Sequence, residues 1–507
     1  MTTRRDGDVC LVLEGTYPYV PGGVSSWVHE IVRRLPEQKF SLLHIGPCRG
    51  AYGPPRYELP PNVVGMVEHY LQAEQRVLEP KEREQLRKEI EKRIRGARKL
   101  PKNGSRTLDA FRRLQLDDKI DDALIDDLAQ ADCTVDELLH GDEAFAMISE
   151  VYRACAPTAP FLDFFWSFRS MHVPLLTLLL AEMPRARAYH SISTGYAGVL
   201  AAVASRRTGR PMLLTEHGIY AREREMELAR SSWITERTVD PRIPSQTISP
   251  LRRFWTRFFF RLSQIAYLQA SSVVTLSEVN RTKQLADGAA ADRTSIIPNG
   301  VDSQRLAANM GERTPRAAGA PLRVGFVGRV VPIKDVVTLI KAVDLALEEV
   351  RLAVELIGPA EEDPAYAARC RELVATLGRE DEIRFVGPRP LAEIYRNLDV
   401  VVLTSFSEGQ PLVILEAHAA GLPVIATDVG ACREMLEGTE QDARLGPSGI
   451  VTRVAAPEET AAALVRLARE PALLCRMGEA GKARVETSYT EAAMLGSYRS
   501  LYDRLVA

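Results

Sequence analysis

The chain alternates between short, nearly continuous apolar runs and longer stretches whose apolar residues recur at helical spacing. Apolar runs without polar alternation suit strands buried on both faces. With helical stretches between them they predict parallel α/β sheets joined by crossover helices. At the start, "VCLVLEG", a glycine-rich turn, "SSWVHEIVRRL" and "FSLLHIG" read as strand, turn, helix and strand, and "NVVGMVE", "ARAYHSIS", "PMLLTEHG", "SSVVTLS" and "TSIIPNG" add further strands. A stretch rich in Pro, Gly and Ala, from Gly311 to Pro321, reads as a linker. A second series follows, "LRVGFVGR", a helix from Lys334, "RLAVELIGP", "EIRFVGP", "DVVVLTS" and "PVIATDVG", again separated by helices.

The expected organisation is therefore two Rossmann-like domains, 1–305 and 306–488, facing a cleft, with a helix over 489–507 crossing back onto the first. Residues from about 72 to 160 interrupt the first domain with the charge-dense "KEREQLRKEIEKRIRGARK" and the acidic "LDDKIDDALIDDLAQAD", read as an inserted set of solvated surface helices. The helix "SPLRRFWTRFFFRLSQIAYLQ" carries Arg253, Arg257 and Arg261 on one face and Phe254, Phe258, Leu262 and Ile265 on another. That pattern suits a helix packed into the first domain, with a membrane-surface role as the sharper alternative.

Composition narrows the class. A chain of 507 residues exceeds what one hydrophobic core serves, and 46% hydrophobic with 26% charged residues is ordinary for a soluble globular protein. The net charge of -2 argues against a nucleic-acid binder. Apolar stretches such as "VPLLTLLLAEM" are too short to span a bilayer, and "MTTRRDGDVCLVLEG" runs into a strand without a signal-peptide pattern, so a cytoplasmic protein is expected. Seven scattered cysteines without a CxxC pair fit reduced structural thiols, and the eight histidines form no HExxH-type cluster.

Candidate chemistry concentrates in "SEGQPLVILEAHAAGLPVIATDVG". Glu416 interrupts an apolar helix that Pro411 opens and Gly421 and Pro423 close, and Glu408 lies in the loop before it. A carboxylate so placed needs donors, and the two hydroxyls of a ribose would supply them. The helix N-terminus, with Gly409 and Leu412, would turn free N–H groups toward the sugar or its phosphates. The plainer alternative pairs Glu416 with an arginine such as Arg433. Arg329 at a strand end and Lys334 at the next helix start bring two cations to the same sheet edge, as a diphosphate leaving group requires. In the first half, Gly22-Gly23 lets backbone approach a ligand, His217 follows a strand end where it could bond a sugar hydroxyl, and Asn299-Gly300 reads as a turn. The literal Asp-x-Asp, Asp6-Gly7-Asp8, sits at the wrong sheet edge, so no metal or other cofactor is expected and Arg329 and Lys334 take over the cation's charge.

Glu408 and Glu416 with seven residues between them, together with Arg329 and Lys334, resemble the donor site of family 4 retaining glycosyltransferases of the two-Rossmann-domain (GT-B) fold. The resemblance implies that Glu416 holds the nucleotide ribose, Glu408 lies against the transferred sugar, Arg329 and Lys334 grip the diphosphate, His217 touches the donor sugar and Gly23 approaches it. "EGTYPYVPGGVSSWVHEIV", "PFLDFFWSFRSMHVPLL", "HSISTGYAGVLAAVASRRTGRPMLLTEHGIYARERE" and "NRTKQLADGAA" resemble more specifically the PelF family, cytosolic glycosyltransferases of Pel exopolysaccharide biosynthesis. That implies transfer of a hexose from UDP-glucose or a related UDP-hexose, with retention, onto a growing polysaccharide handed to a membrane-embedded export complex, with possible recruitment to the inner face of the membrane. Other readings are a non-catalytic nucleotide-sugar-binding regulator of a polysaccharide synthase, and an epimerase or glycan phosphorylase of the same fold.

Overall fold

The computed structural model describes residues 7–72, 88, 102–231, 234, 249–310, 313–317, 319–440 and 442–507. The chain divides into two compact units: Met1–Thr275 with Thr282–Ser295 and Arg499–Ala507, and Leu276–Arg281 with Ile296–Tyr498.

The sheet of the first unit is built from β1 (Gly7–Glu14), β2 (Phe40–Gly46), β3 (Val63–Tyr70), β4 (Ala186–Ser191), β5 (Met212–Glu216), β6 (Ser272–Thr275) and β7 (Thr294–Ile296), in the order β3-β2-β1-β4-β5-β6-β7. β1 pairs in parallel with β2 and β4 at once, with Leu11 opposite Leu42 and His190. Burial on both faces explains why β1 and β2 read as unbroken apolar runs. The second sheet comprises β8 (Leu322–Val327), β9 (Leu352–Ile357), β10 (Ile383–Gly387), β11 (Val400–Leu403), β12 (Val424–Thr427) and β13 (Gly449–Thr452), ordered β10-β9-β8-β11-β12-β13. That is the doubly wound order, with its switch point between β8 and β11; in the first sheet the corresponding reversal lies between β1 and β4.

The structure corrects several sequence expectations. Much of the expected insertion, residues 73–87 and 89–101 with most of the basic run, falls outside the described residues. The helices Lys102–Leu116, Asp122–Ala129, Val135–His140 and Asp142–Cys155 are not solvated decoration: Phe111, Leu114, Leu128 and Ile148 are fully buried in the first unit's core. Several of their aspartates are paired, with Asp122 and Asp126 held by Arg206. Asp121 caps the second of these helices by accepting from Leu124 N, and Arg113 binds Asp117, Asp121 and Asp127 at 2.8–3.2 Å. The helix Pro250–Gln269, by contrast, packs into the first unit as expected, opened by the Ser249 cap and burying Phe254, Phe258, Leu262 and Ile265. Arg257 and Arg261 donate to backbone carbonyls of Leu116, Asp117 and Asp118, so neither residue forms part of a free basic face.

The helix expected from Lys334 begins at Val336. Lys334 ends a short 3-10 turn, and Asp335, at φ 43, supplies the cap that accepts from Thr338 N. Nor are the described residues between Gly311 and Pro321 a free linker. Asp399 is nearly buried and takes Arg323 at 2.8 Å with Arg313 and Arg316 at 3.9 Å, which ties the segment into the second unit. The helix Glu491–Val506 ends within the first unit, where Tyr502 is buried with its hydroxyl 2.8 Å from His190 Nδ1 and Gln38 donates to Asp503 at 3.0 Å.

Candidate functional site

In the second unit the loops leaving β8 and β11 converge at the switch point, where an open α/β sheet binds its ligands. Thr404, just past β11, donates to the backbone oxygens of Asp335 at 2.9 Å and Lys334 at 3.2 Å, and Phe406 N donates to Ile333 O at 2.9 Å. These bonds fix the two loops to one another. On that frame Lys334 Nζ stands 2.6 Å from Glu408 Oε1, and Ser405 Oγ donates to the same oxygen at 2.6 Å. The pair is half sequestered, its side chains 22% and 10% exposed. Gly430, at φ 53, is required here. A Cβ would stand 2.1 Å from Glu408 O, and the close approach lets Ala431 N bond Gly409 O at 2.8 Å.

Glu416 lies on the helix Leu412–Ala419, with Pro411 at its N-cap and not, as expected, its first helical residue. Its partner is Tyr395, whose hydroxyl donates to Oε2 at 2.6 Å. Arg433 is not the partner; it binds Asp428 at 2.7 Å and Glu437 at 2.8 Å. Burial pushes the Glu416 carboxyl above its ordinary value, against the lowering effect of the tyrosine bond, and pushes Tyr395 well up as well. Tyr395 supplies one donor to one oxygen, and an ionised carboxylate accepts several. Arg329 stands apart from Lys334, exposed and bonded to both oxygens of Glu362 at 2.5 and 2.6 Å. The structure thus joins Lys334 to Glu408 and pairs Arg329 with Glu362.

Gly22 and Gly23 open the helix Gly23–Arg34 directly after the β1 loop, with Gly22 as its N-cap. His217 follows β5, its ring edge-on to Trp27 at 4.7 Å. Burial lowers His217 to about 4, which keeps it neutral at neutral pH, and its buried Nε2 has no hydrogen-bond partner among the described residues. Asn299 is more than a turn residue, since its N donates to Gln410 Oε1 at 2.6 Å in the loop after Glu408. Asp8 of the Asp-x-Asp accepts from Lys39 N at the entrance of β1, and Asp6 lies outside the described residues. No group of three His, Cys, Asp or Glu among the described residues is placed to hold a metal, and none of their helices is long and apolar enough to cross a membrane.

Sequence reasoning missed a further constellation. Glu14, the last residue of β1, accepts from Ala197 N at 3.2 Å and from the Tyr220 hydroxyl at 3.0 Å, and burial raises its carboxyl despite the Arg224 charge nearby. Behind it Glu216 is fully buried, accepting from Gln284 at 2.9 Å, Thr194 at 3.0 Å and Tyr267 at 2.5 Å. Glu14 and His217 line a cavity of about 510 Å³ within the first unit. The available signal was a carboxylate closing each of two apolar strands, "VCLVLE" and "MLLTE".

Residues 7–292, more than half of the chain, match the family described as "Domain of unknown function (DUF3492)". The chain belongs to the DUF3492 family. In this DUF3492 protein, residues 321–470 match "Glycosyl transferases group 1", so the first unit carries the family domain and the second a group 1 glycosyltransferase domain. A D-inositol 3-phosphate glycosyltransferase of Corynebacterium glutamicum is 33% identical over 228 residues, 43% of this chain and 53% of that protein. A second protein of that name, from Streptomyces griseus, is 34% identical over 201 residues, 38% and 40% of the two chains. The chain thus spans about half the length of these curated relatives or less. Among solved structures, Anabaena HepE in complex with UDP and glucose superposes with a TM-score of 0.55 at 15% identity over 98% of this chain and 99% of that one. Sucrose-phosphate synthase from Thermosynechococcus elongatus gives 0.57 at 17% identity over 99% of both chains. With its two parallel sheets, the DUF3492 protein has the GT-B fold.

Proposed function

We propose that this DUF3492 protein is a retaining glycosyltransferase of the family 4 type that moves a hexose from a UDP-sugar, UDP-glucose or a related UDP-hexose, onto a growing exopolysaccharide of the Pel type. The observation that carries the reading is the Lys334–Glu408 pair, 2.6 Å apart at the switch point between β8 and β11. A diphosphate arriving there meets Lys334 and Arg329, each of which can exchange its carboxylate partner for phosphate oxygens. Glu416, held by Tyr395 on one oxygen, accepts from the ribose hydroxyls, while the backbone at Gly409 and Leu412 opens the helix toward the donor. Glu408 stands against the transferred sugar; within the first unit, His217 and the Gly22-Gly23 turn are the residues assigned to sugar binding.

The bond between the sugar's C1 and the diphosphate oxygen breaks with its electrons going to UDP. The acceptor oxygen bonds C1 on the same face, and the acceptor's proton passes to the departing phosphate. Lys334 and Arg329 stabilise the charge that builds on the diphosphate, so no metal or other cofactor is required. In this reading the enzyme works in the cytoplasm, at the inner face of the membrane, and delivers its product to a membrane-embedded export complex. The glycosyltransferase domain match and the UDP-bound GT-B neighbour support it.

The test is a screen of UDP-hexoses with oligosaccharide acceptors, following UDP release and the anomeric configuration of the product by NMR. An α-linked product from an α-linked donor is expected. An inverted product, or none from any UDP-sugar, overturns the proposal.

A further inference from the structure

The helices Asp142–Cys155 and Phe161–Leu179 each bury one face in the first unit's core, through Met147 and Ile148 on the one and Phe164 and Phe168 on the other. Their outer faces carry apolar side chains as well. Phe145 is 59% exposed, Leu162 63% and Trp166 51%. Single exposed apolar residues are ordinary, but these are joined into one surface. Phe145 meets Phe161 with ring centroids 6.0 Å apart, Phe161 meets Phe165 at 6.4 Å, and Phe165 meets Trp166 at 5.9 Å. Leu162 stands one turn before Trp166 on the same helix face. Two acids sit in this surface: Asp142 lies three residues before Phe145, and Asp163 three before Trp166. Neither carboxylate has an ion pair or a hydrogen bond among the described residues. Of the nearby cations, Arg169 is laid over the Trp166 ring, 5.3 Å from its centroid, and Arg153 is about two turns beyond Phe145.

We propose that this surface docks a cytoplasmic segment of a membrane-embedded protein, one that presents an apolar anchor between lysines or arginines. The choice of partner rests on the export-complex reading above, and the docking surface goes beyond it. Cytoplasmic segments next to membrane helices are enriched in Lys and Arg, which Asp142 and Asp163 complement. Trp166 supplies the kind of large aromatic contact that carries much of the energy at an interface, with Arg169 stacked upon it. The same two acids disfavour the other occupants. They repel the anionic headgroups of a bare bilayer, and a symmetric contact with a second copy sets acid against acid.

The test is co-sedimentation of the purified protein with inside-out membrane vesicles from the producing organism, native or protease-shaved, and with protein-free liposomes of their extracted lipids. Wild type is expected to bind native vesicles roughly tenfold more tightly than shaved vesicles or liposomes. Trp166→Ser and Leu162→Ser are expected to weaken that binding about tenfold and Asp163→Lys about threefold, with thermal unfolding and UDP Kd unchanged. A photo-cross-linking residue in place of Ala146, exposed beside Phe145, is expected to capture a Lys- or Arg-bearing cytoplasmic segment of an integral membrane protein. Equal binding to liposomes, a cross-link to a second copy, no binding to native vesicles, or variants that bind like wild type overturns the docking proposal and leaves the transfer reading standing. Absence of UDP binding in wild type overturns the transfer reading and, with it, the export complex as the partner.

Discussion

In the proposed reading, replacing Glu408 by Gln separates donor binding from transfer, because Glu408 pairs with the lysine proposed to hold the diphosphate. Lys334 Nζ sits 2.6 Å from Glu408 Oε1, and Ser405 shares that oxygen at 2.6 Å. A partly exposed ion pair of this kind is worth about 1 kcal/mol, so Glu408→Gln frees Lys334 and tightens UDP about fivefold. Lys334→Ala removes a charge-assisted contact to phosphate worth about 1.5–3 kcal/mol, which weakens UDP roughly 10- to 150-fold. In the double variant the gain from Glu408→Gln disappears, since no lysine remains to be freed. On the proposed placement of Glu408 against the transferred sugar, transfer falls in Glu408→Gln while UDP binding does not. Calorimetric titration of the four proteins with UDP, alongside initial transfer rates, reads all of this. Tenfold weaker UDP binding in Glu408→Gln, or unchanged binding in Lys334→Ala, refutes the reasoning.

Wild type should prefer UDP over 2′-deoxy-UDP by about tenfold, the value of one hydrogen bond to a charged group, and Glu416→Ala should abolish that preference; a preserved preference removes Glu416 from the ribose. Arg484 is fully buried, 2.8 Å from Asp442 and bonded to Ser448 and the Leu436 and Gly446 carbonyls, so Arg484→Leu strands Asp442 and should cost about 3–5 kcal/mol in the unfolding of the second unit. His172 packs among Phe111, Phe168, Phe254 and Phe258 with Gln115 at 3.1 Å, and burial lowers it to about 3. Its unfolded form takes up the proton first, so the stability it contributes is present above about 6.5 and is lost as pH falls toward 3, by roughly 1 kcal/mol between pH 7 and 5.5. The raised carboxyls of Glu14 and Glu216 act in the opposite sense, losing stability as pH rises through their folded values. The His172→Gln minus wild-type difference in urea unfolding isolates the histidine, and it should change by that amount across the interval; a flat difference contradicts the assignment.

The doubly wound second sheet was legible because strands covered on both faces carry no polar alternation, and "LRVGFV", "LAVELI", "VVVL" and "VIAT" leave no other reading. β13 escaped notice: "GIVT" is four residues long and starts with the glycine whose absent Cβ lets Val424 O approach. Lys334 and Glu408 were legible as residues, but their ion pair was not, since it depends on Thr404 and Phe406 fastening two loops more than sixty positions apart in sequence. Tyr395, the donor to Glu416, sits in a different turn, and no helical spacing relates the two. The same limit hid the role of the acidic helices, whose charge density disguised an apolar face that Phe111, Leu128 and Ile148 bury. In the first unit, Glu14 and Glu216 end two apolar runs that β4 separates in the sheet, a signal weaker than seven-residue spacing because a strand end is also where a chain reaches solvent.

The central claim is that the second unit holds a uridine diphosphate through Lys334, Arg329 and Glu416 without a metal. A calorimetric titration of the purified protein with UDP in the presence of chelator, with ADP and GDP as controls, tests it. Saturable UDP binding is expected, at least tenfold weaker for ADP and GDP and roughly 10- to 150-fold weaker in Lys334→Ala. No binding of UDP, or binding that requires an added divalent cation, contradicts it.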